Sequence, residues 1–172
     1  MAVASLPPLP SAPLDTLKRV LRSLMALAVA VLLSISLAAC DGSKGKVAVL
    51  SPDDIAAITR QAEGFLAARD RLPELAELVN NRNWVFTRNL IHGPMQEVGR
   101  QMLYINRLLL PSEQPEANKL SKNLKDALAD LDEAARLQDG DALRKGYIKV
   151  ASGFGLYAQN LPEQVKEALN QV

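Results

Sequence analysis

From Trp84 to Leu109 the chain carries a stripe that only a helix can use: Trp84, Arg88, Ile91, Met95, Val98, Met102, Ile105 and Leu109 follow at steps of 4, 3, 4, 3, 4, 3 and 4. Alternating threes and fours track the helical period, so these side chains share one face. Such a face must be buried against another element. Three further stretches supply partners. Ile55, Ile58, Ala62, Phe65, Arg69 and Leu72 form one stripe; Leu120, Leu124, Leu128, Leu131 and Ala135 form another; Leu143, Tyr147, Val150, Phe154, Tyr157 and Leu161 form the last. No run alternates with the period of two that marks a half-buried strand.

The boundaries are written in caps and breakers. Ser51-Pro52-Asp53-Asp54 combines an N-cap, a proline for the first turn and acids for the positive end of the helix dipole. Pro73 is expected to end or kink the first helix, leaving a short continuation from Glu74 to Val79. Pro111-Ser112-Glu113-Gln114-Pro115 interrupts the chain and offers Ser112 as the next N-cap. Asp139-Gly140-Asp141 reads as a tight turn, with Gly140 left-handed and Asp141 capping the last helix. Lys119, Lys122, Lys125, Asp126, Asp130 and Asp132 are expected to face outward. The pattern predicts an all-α fold, an up-down-up-down four-helix bundle over residues 51–172, with helices at about 52–72, 82–109, 113–138 and 141–161.

The first forty residues belong to a different kind of segment. A proline-rich start is followed by Lys18, Arg19 and Arg22, then by an apolar run of 14 residues, Leu24 to Leu37. That run is short for a membrane span, which needs about 20 residues, and its layout is that of an export signal. Leu37-Ala38-Ala39-Cys40 reads as a lipobox, and the chain's single cysteine stands at the position the motif demands. The expectation is a cleaved signal peptide over 1–39, a covalent lipid on Cys40 and a flexible tether over 40–50. Processing there leaves 133 residues of net charge −1, since the full chain stands at +1 and the removed part carries Lys18, Arg19 and Arg22 against Asp15.

Counts of reactive residues narrow the function. One cysteine and one histidine exclude an internal disulfide, a cysteine-rich zinc site and the paired histidines of a bundle di-iron centre. Near-neutral, interleaved charge gives no footprint for nucleic acid. His92 has no carboxylate at i+3 or i+4, so a metal there needs donors from other helices. Met95 and Met102 can be imagined as haem ligands opposite His92, but both lie on the core stripe, where filling space explains them. Asp139-Gly140-Asp141 lacks the remaining ligands of a calcium loop. Gly153-Phe154-Gly155 lacks the strand-then-helix setting of a phosphate loop and reads as a place of close helix contact or fraying. With no catalytic constellation, no metal ligand set and no small-molecule substrate signature, the expectation is a non-enzyme with no intrinsic cofactor.

One segment departs from this plain reading. Gly93-Pro94 sits inside the longest stripe, although proline in a helix interior costs about 3 kcal/mol. The only tryptophan, an arginine on the inward stripe and the only histidine lie close by. Arg88, four residues after Trp84, can stack on the indole or pair with a carboxylate from another helix. Arg82, Trp84, Arg88, His92, Gly93 and Pro94 are therefore the candidate partner-binding or architectural residues.

Trp84, Arg88, Ile91-His92-Gly93-Pro94, Met102 and Leu109-Leu110-Pro111, preceded by Arg69-Asp70-Arg71-Leu72-Pro73, resemble the PsbQ family, in particular its cyanobacterial, lipid-anchored branch. The resemblance covers most of residues 51–137. It implies a four-helix extrinsic subunit on the lumenal face of photosystem II, held at the thylakoid membrane by its lipid. There it would contact the core and other extrinsic subunits, and support the oxygen-evolving centre with its calcium and chloride requirement. Family members are associated with calcium-ion function and with adventitious divalent metal, but no ligand set is carried over here. The last third departs from the family pattern, with Gly146, Gly153 and Gly155 where an acidic, phenylalanine-rich helix end is expected. Two alternatives stay open: a photosystem II assembly factor, and an unrelated periplasmic helical lipoprotein that binds a metal or haem.

Overall fold

The computed structural model describes residues 48–171; the expected signal peptide, Cys40 and most of the tether lie outside them. Among the described residues every regular element is a helix: α1 Pro52–Arg69, α2 Leu72–Asn80, α3 Trp84–His92, α4 Val98–Leu108, α5 Gln114–Leu137, α6 Gly140–Gln159 and α7 Glu163–Leu169. No described helix is long and apolar enough to cross a membrane.

α1 begins as its sequence implies. Ser51 accepts a hydrogen bond from the Asp54 N–H at 3.1 Å and donates its hydroxyl to the Asp54 carboxylate at 2.7 Å, with Pro52 in the first turn. The expected helix over 52–72 is shorter, however, because it stops at Arg69 and Pro73 opens a second helix instead of ending the first. A proline in a first turn removes a donor that has no partner anyway.

The expected unbroken helix over 82–109 is two helices. α3 ends at His92, residues 93–97 form a turn, and α4 starts at Val98. The Met95 N–H reaches back to the Leu90 carbonyl at 3.2 Å, so the backbone passes Pro94 without needing its missing N–H. The face survives the break: Ile91, Met95, Val98, Met102 and Ile105 are all buried.

Two turns differ from expectation in the residues that cap their helices. α5 starts at Gln114 with Glu113, not Ser112, before it; the Glu113 carboxylate accepts from the Leu110 N–H at 3.2 Å. At its other end Gln138, not Gly140, is left-handed at φ 58°, while Asp139, not Asp141, caps α6 by accepting from the N–H groups of Asp141 and Ala142 at 3.0 Å. The turn is a Schellman closure, since Gln138 and Asp139 donate to the carbonyls of Ala135 and Ala134. The aspartate one residue earlier is already at cap position, which leaves Gly140 inside the helix. α7 lies beyond the four expected helices; Pro162 starts it and Val165 is its buried residue.

The helices join in a closed sequence of neighbours. α1 lies against α4, α6 and α7; α2 against α3 and α6; α5 against α3, α4 and, most extensively, α6. Because the early part of the first run meets the late part of the second and the reverse holds for α2 and α3, those two runs are antiparallel. Phe65, Phe154 and Tyr157 meet in the core, with ring centroids 5.2 and 4.9 Å from Phe65. A buried polar chain joins α4, α5 and α6: the Tyr157 hydroxyl donates to Asn106 Oδ1 at 2.7 Å, and Asn106 Nδ2 donates to Ser121 Oγ at 2.8 Å and Asn118 Oδ1 at 2.9 Å. Ser121 passes its own proton to the Ala117 carbonyl at 2.8 Å. Each member is satisfied, which lets a polar set sit in an apolar core and pin its register. Burial pushes the Tyr157 phenol well above the usual tyrosine range.

Candidate functional site

α3 is the element that presents the candidate residues. Its start is set by Asn83, whose side chain accepts from the Phe86 N–H at 3.3 Å. Arg82, just before it, is left-handed at φ 52°. Arg82 and Asn83 donate to the Val79 and Leu78 carbonyls at 3.1 and 2.8 Å, which closes α2 in the same Schellman fashion as the turn after α5. A non-glycine residue pays about 1–2 kcal/mol for that conformation. The Arg82 guanidinium lies over the first residue of α6, where a Cβ on Gly140 would stand 3.1 Å from its Nε. Both left-handed turns thus come together at one end of the molecule.

Along α3, Trp84, Arg88 and His92 stand one above the other on the flank toward α5. Arg88 Nε and His92 Nε2 both reach Asp132 Oδ1, at 3.0 and 2.9 Å. Of the two roles open to Arg88, the structure supplies the carboxylate from another helix. The same contact requires a proton on His92 Nε2. Asp132 was expected to face outward with its helix's other charges, yet its side chain is only 21% exposed, against 62% for His92. The sequence carried one signal for this, the i, i+4 spacing of Arg88 and His92, which aims two donors at one point on a neighbouring helix. Nothing marked which helix held the acceptor.

Trp84 is half-buried against the core. With Arg88, Ala135, Arg136 and Gln138 it lines a shallow recess of about 190 Å³ between α3 and the end of α5. Beside it Val85 and Phe86 are 65% and 59% exposed. Glu133 holds Arg136 in a two-point pair at 2.6 Å, and the hydrogen bond to Arg136 lowers the Glu133 carboxyl below its usual range, against a smaller opposing effect of burial. The result is a surface with an apolar edge, several guanidiniums and an aromatic floor.

Gly93 and Pro94 act on backbone geometry. A Cβ on Gly93 would stand 2.8 Å from the Asn89 carbonyl oxygen, so the chain turns there only without a side chain. His92 meets one carboxylate, and among the described residues no three His, Cys, Asp or Glu side chains converge. The six candidates therefore divide: Arg88 and His92 share an acceptor, Trp84 lies next to them, Arg82 holds the adjoining turn, and Gly93-Pro94 breaks the helix that carries them.

Two comparisons bear on this arrangement. The PsbQ family model, oxygen evolving enhancer protein 3, matches residues 15–162. CyanoQ from Synechocystis sp. is 32% identical over 145 residues, which is 83% of this chain and 97% of that protein.

Proposed function

The chain belongs to the PsbQ family, and from that membership we propose that it is an extrinsic subunit on the lumenal side of photosystem II that stabilises and shields the oxygen-evolving complex by binding the assembled core. The observation that carries this reading is the match over residues 15–162 together with near-complete coverage of CyanoQ. Membership displaces the unrelated metal- or haem-binding lipoprotein as a competitor.

The body acts in this reading as an up-down-up-down four-helix bundle, its first run made of α1 and α2, its second of α3 and α4. The closed order of helix neighbours supports it. Residues 1–39 are a signal peptide, Cys40 carries the lipid, and residues 40–50 tether the bundle to the thylakoid membrane. No resident cofactor enters the mechanism, and any divalent metal is adventitious.

The role is thermodynamic and steric rather than catalytic. A subunit that binds only the assembled complex stabilises it by mass action, about 2.7 kcal/mol when present at about 100 times its Kd. Lipid anchoring confines the search to the membrane surface and raises the effective concentration. The partner face is the recess at Trp84 with exposed Val85 and Phe86, where aromatic, apolar and guanidinium groups combine as they do at interface anchors.

The test is a pull-down from host thylakoids with a C-terminal tag, with light-driven oxygen evolution assayed in the eluate. Highly active photosystem II is expected. Recovery of inactive, incomplete centres would make the protein an assembly factor, and recovery of no photosynthetic component would overturn the proposal. Trp84→Ala and His92→Ala, made separately with melting measured alongside, locate the face. For Trp84→Ala, whose indole is half-buried, some loss of melting temperature is expected, and a loss of recovery that persists at temperatures where the variant is fully folded assigns it to the face.

A further inference from the structure

A second concavity lies away from the Trp84 recess. It is an open groove of about 490 Å³ between α1, α6 and α7, within the roughly 300–1,000 Å³ typical of small-molecule sites. Leu66, Leu161 and Leu169 give it an apolar floor, and Arg69 and Lys166 stand in its lining. No described Asp or Glu lines it. Lys166 and Leu169 lie beyond residue 162, where the family match ends.

Gly155 lines the groove at a point with room to spare. A Cβ added at Gly155 meets no atom within 4 Å, whereas glycines 146 and 153 on the same helix face crowded neighbours at 3.0–3.2 Å. The two cations are held only by neighbours on their own segments: Arg69 by Asp70 and Lys166 by Glu163, each at 3.1 Å, with acids 67% and 74% exposed. Pairs so exposed to water exchange readily for a better-placed anion. An arginine offers a carboxylate two parallel donors, and a lysine adds a point charge.

We propose that this groove binds a long-chain fatty acid, its chain lying on Leu66, Leu161 and Leu169 and its carboxylate held by Arg69 and Lys166. Charge complementarity selects the anion, and the apolar floor selects the chain. An acidic peptide matches the charge but lays polar backbone, rather than a continuous apolar chain, on the three leucines, so it gains less from burial there.

The experiment uses the full chain with Cys40→Ser, so that no attached acyl group competes, titrated with cis-parinaric acid as a fluorescent C18 carboxylate. Saturable binding of one probe per chain is expected. Gly155→Leu, which fills the groove without meeting an atom at its β position, should weaken it about tenfold or more at a melting temperature no lower than the parent's. The double variant Arg69→Gln/Lys166→Gln should weaken it similarly, and the matching long-chain alcohol should compete about tenfold less well than the acid. Should Gly155→Leu fold poorly, the double variant and the alcohol decide the matter. Non-saturating uptake, wild-type binding by a well-folded Gly155→Leu or by the double variant, or equal competition by the alcohol would overturn the proposal. So would displacement of the probe by polyglutamate as efficiently as by a fatty acid, since the occupant would then be an acidic polypeptide.

Discussion

The second and third helical runs carry equally regular stripes, yet α3–α4 is broken into pieces of 9 and 11 residues while α5 runs unbroken for 24. Both bury the face that their spacing specifies. The difference lies in the backbone, where Gly93-Pro94 forces a turn in one and nothing interrupts the other. Periodicity therefore decides which side of a helix faces the core, and local backbone chemistry decides whether the helix is continuous. The two decisions are independent enough that Ile91, Met95 and Val98 stay in register across a break of five residues.

The sharpest way to break the comparison is to attack the continuous region. α5 and α6 approach closely because Gly146 faces the Leu131 backbone, where a Cβ would stand 3.2 Å from Cα. Gly146→Leu is expected to destabilise the fold by about 3 kcal/mol, since neither helix can move aside without unpacking its partner. Gly155→Leu on the same helix should be neutral or stabilising by up to about 1 kcal/mol, as expected for replacing a helical glycine whose added Cβ meets no atom within 4 Å. Urea denaturation of the two variants checks both, and equal losses would show that glycine content, not contact, governs this helix.

In the interrupted region the corresponding change is Gly93→Ala. Its new methyl meets the Asn89 carbonyl, and a loss of about 2 kcal/mol is expected in the same denaturation assay. A variant as stable as the parent would mean that the turn at 93–97 relaxes freely, and that Pro94 alone sets the break.

Much of this was legible from spacing alone. The four stripes, the Ser51 cap and the disruptive force of Gly93-Pro94 all follow from local chemistry acting within one or two turns. What spacing hides is anything set by a second helix. Asp132 looks like one more outward charge until α3 aims Arg88 and His92 at it. Asn106 lies one residue from Ile105 on the stripe and reads as surface, yet it is 3% exposed and holds the centre of a hydrogen-bonded chain. The short α7 has only Leu161, Val165 and Leu169 to announce it, too brief a pattern to separate from coil.

Tyr157 and Asn106 tie the two kinds of region together, so their bond reports on both. Tyr157→Phe removes the donor at 2.7 Å and leaves a buried amide oxygen short of a partner, for an expected cost of about 1.5 kcal/mol. The raised phenol also gives stability a pH dependence. The unfolded chain ionises this tyrosine near its ordinary pKa of about 10, while the folded chain holds the proton to higher pH. Above about pH 10 the unfolded state therefore binds fewer protons, and stability falls as pH rises. Alkaline melting curves should show this fall in the parent and a shallower one in Tyr157→Phe; identical slopes would remove Tyr157 from the account.

The smallest expected loss concerns the contact between α3 and α5. Asp132→Asn keeps the shape of the acceptor and removes its charge, weakening what it offers Arg88 and His92. Both donors are partly or largely exposed, at 40% and 62%, and surface pairs of this kind contribute about 0–1 kcal/mol. The expected loss is therefore about 0.5 kcal/mol in urea denaturation, small beside that of Gly146→Leu. A loss above about 2 kcal/mol would make this contact a main fastener of the fold. The expected small loss instead leaves α3 held mainly by Thr87, Leu90 and Ile91, its buried residues. On that outcome the Arg88–His92–Asp132 contact contributes little to folding, and a defect of His92 variants in binding can be read as a defect in binding itself, whereas Trp84 variants need their melting measured beside it because the indole packs on the core.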